Sequence, residues 1–127
     1  MKVTMLKSKI HRATVLQSNL DYVGSITIDA DLMEKSKIFE YEQVHVVDVD
    51  NGKRLVTYAI VGKRGSGMIC LNGAAARKVQ PGDRVIIMSY ALVDADCVSD
   101  FCPTVLFVDD GNRLIRVSKA EKHGEIV

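Results

Sequence analysis

The sequence predicts a mainly β fold, with many short strands and one or two helical turns wound into a closed or nearly closed barrel. Three observations carry this reading. Short apolar runs rich in β-branched residues recur along the chain, as in Gln43 to Asp50 with Val44, Val46, Val47 and Val49. Turn signals punctuate them at Asn51-Gly52, Pro81-Gly82-Asp83 and Asp109-Asp110-Gly111-Asn112. Helical starts are few and brief. No internal repeat, linker or low-complexity stretch interrupts the 127 residues, so residues 1–127 read as a single domain.

The elements follow in order. Val3 to Leu16 alternates as a strand, irregularly where Lys9, His11 and Arg12 intervene. Ile26-Thr27-Ile28 is a short strand ending at Asp29, an N-cap for a helix running through Leu32 and Met33 to about Ser36. Gln43 to Asp50 and Arg54 to Gly62 form a hairpin around Asn51-Gly52. After the loop Gly62 to Gly67 comes a strand over Met68 to Leu71, and Asn72-Gly73 opens a helical turn over Ala74 to Lys78. The strands Arg84 to Val93, Thr104 to Val108 and Arg113 to Val117 complete the pattern, and residues 120–127 read as a mobile tail.

Composition narrows the function. A net charge of +1 gives no general attraction to nucleic acid or membrane, although Lys2, Lys7, Lys9 and Arg12 precede the first acid, Asp21. Three cysteines without paired spacing point to reduced thiols, and no apolar run is long enough to span a bilayer or act as a leader, so a cytoplasmic location is expected. His11, His45 and His123 are scattered with no ligand at metal spacing, so no metal is expected. The loop Gly62-Lys63-Arg64-Gly65-Ser66-Gly67 has the glycine spacing of a phosphate-binding loop, but Met68 stands where a lysine is needed. It reads as a plain hairpin loop.

Gly24-Ser25 is the most informative feature. A serine hydroxyl can attack the preceding carbonyl, shift the peptide to an ester and break the chain by elimination. This leaves a pyruvoyl group at the new N-terminus. Glycine suits the bond because it leaves the carbonyl uncrowded and tolerates strained dihedrals. Around this dipeptide stand Lys9-Ile10-His11-Arg12, Asn51-Gly52-Lys53-Arg54, Thr57-Tyr58-Ala59-Ile60 and Asn72-Gly73-Ala74-Ala75-Ala76. Arg54 and Tyr58 share strand parity, whereas Thr57 has the opposite parity. Either the strand bends there, or Thr57 faces Gly24-Ser25 while Tyr58 serves a neighbouring subunit's site. Arg54 offers a planar fork for a carboxylate, and the backbone at the Asn72-Gly73 helix start suits an anion.

In that order, over about Met5 to Met88, these blocks resemble the pyruvoyl-dependent aspartate decarboxylase family. The resemblance implies a six-stranded double-psi β-barrel, self-cleavage between Gly24 and Ser25 into 1–24 and 25–127, and a homotetramer with sites at subunit interfaces. It implies decarboxylation of L-aspartate to β-alanine for pantothenate synthesis, with a covalent pyruvoyl group from Ser25 as the only cofactor and neither PLP nor metal. The substrate amine would condense with the pyruvoyl ketone as a Schiff base. Gly24, Ser25 and Thr57 would serve maturation, Thr57 as donor to the oxygen gathering charge. Lys9, Arg54, Thr57, Gly73, Ala74 and Ala75 would bind substrate, Lys9 lying near Arg54 at the side-chain carboxylate. Tyr58 would return a proton to the carbanion. His11, Tyr22 and Asn72 would line the site. The rival class is a non-enzymatic β-barrel of transcription-regulator type with its basic first strand on DNA. The near-neutral charge and the lack of a basic stripe beyond Arg12 weigh against it.

Overall fold

The computed structural model describes residues 1–125. Among these, nine strands form one mixed sheet: β1 (Lys2–Thr14), β2 (Gln17–Asn19), β3 (Ser25–Asp29), β4 (Gln43–Asp48), β5 (Arg54–Gly62), β6 (Ile69–Asn72), β7 (Arg84–Asp94), β8 (Thr104–Val108) and β9 (Leu114–Ser118). Their order is β2-β6-β3-β5-β4-β7-β1-β8-β9. One helix, α1 (Ala30–Ser36), and two 3-10 turns, Gly73–Arg77 and Ala95–Asp100, complete the elements. The mainly β character is as expected, with nine strands where six were anticipated. Pairing is parallel for β1 with β8, β2 with β6 and β3 with β5, and antiparallel elsewhere.

Alternation builds the core. Ile26 and Ile28 of β3, Val44 and Val46 of β4, Val85 and Ile87 of β7, and Ile69 and Leu71 of β6 are all fully buried in one cluster. Val15 and Leu16 alone separate β1 from β2, although these strands stand far apart in the sheet order. Val15 N–H donates to the Asp83 carbonyl and Leu16 N–H to that of Ile69, each at 2.9 Å. The chain thereby carries the sheet back toward its own edge.

Local chemistry explains the irregular places. In β1 the pairing with β7 slips between Ile10 and Ala13, where Arg12 takes φ 58°, a left-handed conformation costly for a side-chain-bearing residue. The β4–β5 connection is wider than a two-residue hairpin. The Asp48 carboxylate accepts from the Asp50 and Asn51 N–H groups at 2.8 and 3.2 Å, ending β4 early, while Gly52 sits at φ 75°. Asp29 caps α1 as expected, accepting from Asp31 N–H at 2.8 Å. The same carboxylate accepts from the N–H groups of Gly65 and Gly67 at 3.1 and 2.7 Å. The glycine-rich loop thus holds an anion that belongs to the chain itself.

Lys9 fastens the C-terminal segment at Glu121, Nζ to Oε2 2.7 Å. The expected mobile tail is therefore anchored at that point, and its last two positions, 126–127, lie outside the described residues. No helix among the described residues is long and apolar enough to cross a membrane.

Candidate active site

Ser25 opens β3 and is fully buried. Its Oγ donates to the Val23 carbonyl at 3.0 Å and accepts from Asn72 Nδ2 at 3.0 Å. Asn72 is the direct cross-strand partner of Ser25 on β6 and also donates to Thr27 Oγ1 at 2.9 Å. Gly73 follows at φ 63°, and its backbone lies so close to the Gly24 region that a Cβ would fall 2.9 Å from the Tyr22 carbonyl oxygen. Gly24 is different. A Cβ there would meet only the Asn72 carbonyl oxygen at 4.0 Å, an ordinary contact. Packing does not demand glycine at 24, so what it contributes is an unhindered carbonyl.

A cavity of about 360 Å³ opens beside this junction, lined by Gly24, Leu55, Val56, Thr57, Ala74, Ala75 and Lys78. The structure therefore brings Gly24, Thr57, Ala74 and Ala75 together, with Ser25, Asn72 and Gly73 adjoining. The β4–β5 register runs from Gln43↔Tyr58 to Val47↔Arg54 without a shift, so β5 does not bend at Thr57. Thr57 shares parity with buried Ala59, while Arg54 and Tyr58 occupy the opposite face. No β-bulge re-aims Thr57, and Val56, of the other parity, lines the same cavity.

Other predicted residues lie elsewhere. Lys9 and His11 are on β1, four places from β3 in the sheet, and neither lines the cavity. Lys9 is paired with Glu121 in the single chain, and strands β7 and β4 stand between its strand and that of Arg54. His11 packs edge-on against Phe107, ring centroids 5.6 Å apart, with its Nδ1 buried and unpartnered among the described residues. Burial, then the charges of Lys9 and Arg12, lower its pKa against an opposing pull from Glu121. Tyr22 points its side chain largely into solvent.

The sequence profile of the aspartate decarboxylase family matches residues 1–115. Aspartate 1-decarboxylase of Clostridium botulinum (strain Loch Maree / Type A3) is 61% identical over 127 residues, 100% of both chains. That of Acetivibrio thermocellus is 61% identical over 126 residues, 99% of this chain and 100% of its own. That of Clostridium kluyveri (strain ATCC 8527) is 56% identical over 126 residues, 99% of each. The chain belongs to the aspartate decarboxylase family.

Three residues of this aspartate decarboxylase family member escaped the sequence reading. Lys78 lines the cavity and donates from Nζ to the Arg54 carbonyl at 3.3 Å, tying the start of β5 to the helical turn after Asn72. Thr27 and Cys70 share the polar face of Ser25 and Asn72, with Cys70 Sγ 3.1 Å from Asn72 Oδ1. Their signal was faint: a polar residue at alternate positions of β3, and a cysteine within an apolar run. Only the β3–β6 register makes them neighbours.

Proposed function

We propose that this chain is an aspartate 1-decarboxylase, converting L-aspartate to β-alanine and carbon dioxide for pantothenate synthesis in the cytoplasm. The observation that carries the reading is the Gly24-Ser25 junction, with Ser25 buried and Gly24 exposed, held by Asn72 and Gly73 beside a cavity that includes Thr57, Ala74 and Ala75. Residues 1–127 form one domain cut into 1–24 and 25–127. Six of the nine strands would close into a double-psi barrel, a reading supported by the direct step from β1 to β2 and by the parallel pairs.

Maturation uses this chain's own atoms. Ser25 Oγ bonds to the Gly24 carbonyl carbon, the Gly24–Ser25 C–N bond breaks, and the hydroxyl proton passes to the nitrogen. Thr57, on the cavity wall beside Gly24, steadies the oxygen on which charge gathers. Loss of the Ser25 α-proton then expels the Gly24 carboxylate, and water releases ammonia to leave a pyruvoyl group. The junction fits that product: Ser25 is enclosed, its neighbour Gly24 opens on the cavity, and no Cβ at 73 obstructs it.

The pyruvoyl group supplies an electron sink for an amine-bearing substrate, with the logic of PLP. The chain's residues orient the reaction around it. Arg54 binds the side-chain carboxylate through its planar fork, while the backbone of Gly73 to Ala75 holds the substrate against the cavity wall. Tyr58 supplies the proton that replaces the lost carboxylate. Lys9, His11, Arg54 and Tyr58 do not line the Gly24 cavity in a single chain, and a homotetramer with sites between subunits completes the set. Tyr22 and Val23, exposed beside the junction, suit such an interface.

Mass spectrometry of denatured protein tests the first claim. Chains 1–24 and 25–127, the larger blocked by a carbonyl that borohydride reduces, are expected. A single intact chain after prolonged incubation overturns it. Carbon dioxide release from L-aspartate but not L-glutamate tests the second, and a preference for glutamate overturns that.

A further inference from the structure

Four polar side chains occupy one face of the β3–β6 ladder. Ser25 pairs directly with Asn72 and Thr27 with Cys70, while Ile26, Ile28, Ile69 and Leu71, of the other parity, fill the core. Ser25, Asn72 and Cys70 are themselves buried, so each polar atom here needs a partner. We infer that Cys70 is a positioning residue for self-cleavage: its thiol fixes the side-chain amide of Asn72 so that the amide nitrogen faces Ser25 Oγ. The inference rests on the self-cleavage reading above.

The hydrogen bonds determine which way the amide points. Ser25 gives its proton to the Val23 carbonyl, so Oγ presents lone pairs to Asn72 and requires a donor there. Asn72 Nδ2 meets that need and serves Thr27 Oγ1 as well. Its Oδ1 must then accept, and Cys70 Sγ at 3.1 Å supplies a donor among the described residues. Burial pushes the Cys70 thiol up, which keeps its proton in place. Without that thiol the amide can rotate by half a turn. Oδ1 would then compete with the Val23 carbonyl for the serine proton, and Oγ would lose its donor.

The chemistry gives this donor a purpose. During elimination the Ser25 Cβ–Oγ bond breaks, and its electron pair leaves with Oγ as part of the Gly24 carboxylate. An N–H already 3.0 Å from Oγ stabilises that charge as it develops. A misplaced amide cannot.

The test uses the full chain purified cold, with cleavage then followed at raised temperature by the appearance of 25–127. Cys70→Ala and Cys70→Val remove the donor, the second while filling the space, and Cys70→Ser restores an O–H. Both apolar variants are expected to cleave about three- to tenfold more slowly, the effect of one hydrogen bond, and Cys70→Ser within about twofold of the parent. Thermal melts of all three confirm a common fold. If the parent cleaves and Cys70→Val keeps pace with it, or Cys70→Ser is as slow as Cys70→Val, the positioning role is overturned while self-cleavage stands. A parent that stays intact, indistinguishable from Ser25→Ala, overturns the cleavage reading and this inference with it.

Discussion

Gly73 lies against Gly24 so closely that a Cβ on Gly73 would sit 2.6 Å from Gly24 Cα and 2.8 Å from its nitrogen. The two glycines are therefore required for different reasons. Gly73→Ala faces both this clash and a left-handed φ, and is expected to lose about 1–3 kcal/mol and remain uncut. Gly24→Ala has room for its methyl and should melt within about 1 kcal/mol of the parent, yet cleave more slowly because its carbonyl is crowded. Denaturant titration and denatured mass, measured on both variants, separate packing from chemistry. Equal losses of stability would show that both glycines are structural.

Tyr58 is half-buried, has the opposite parity on β5 to Thr57 and does not line the Gly24 cavity. Tyr58→Phe should accordingly cut itself at the parent rate while its turnover of aspartate drops about 10²–10⁴-fold, the usual worth of a general acid. A variant that fails to mature would show that Tyr58 belongs to the first reaction rather than the second.

Arg54 presents an exposed guanidinium on the same face as Tyr58. Arg54→Ala is expected to raise the KM for aspartate about 10- to 100-fold through loss of charge-assisted hydrogen bonds, with Arg54→Lys recovering only part of it. Self-cleavage should be unaffected in both. An unchanged KM in Arg54→Ala removes it from the substrate clamp.

Asp48 supplies a pH prediction away from the site. Its carboxyl is held above the usual carboxylate range, first by burial and then by Asp83 beside it, and its Oδ2 has no partner among the described residues. Because the folded value lies above the unfolded one, the associated stability is complete below the unfolded pKa and is lost as pH rises through the folded one. Asp48→Asn keeps Oδ1 for the Asp50 and Asn51 N–H groups and can turn an N–H toward Asp83. It should be more stable than the parent at pH 7 by about 0.5–1.5 kcal/mol, the gap shrinking as pH falls through the carboxylate range. Urea titrations at pH 7 and pH 4 decide it, and a less stable variant at pH 7 refutes the reading.

The elements that were legible in the sequence had a local cause. Asp29 announced α1, and Asn72-Gly73 announced the turn that follows it, because caps and glycines act over a few residues. Strand β2 was hidden because Gln17, Ser18 and Asn19 carry no apolar pattern and are held by pairing with β6 and by the Ser18 hydroxyl donating to the carbonyls of Ala76 and Val79. The hairpin width was hidden too, since Asp48 competes for the turn's N–H groups with its side chain. At the site, Gly24, Thr57, Ala74 and Ala75 came from ordered blocks and do meet at one cavity. Cys70 was invisible because Ile69-Cys70-Leu71 reads as core, and its partner lies across a register that no linear spacing encodes.

Strand β1 is laced to β7 from Lys2↔Asp94 to Thr14↔Arg84 and to β8 along its middle. Severing the backbone after Gly24 therefore does not liberate the small piece; it remains woven between two strands of the larger one. What changes is molecularity. Melting a chain cut there would be a dissociation into separate molecules, so its midpoint would shift with dilution and recovery after heating would require the two pieces to find each other again.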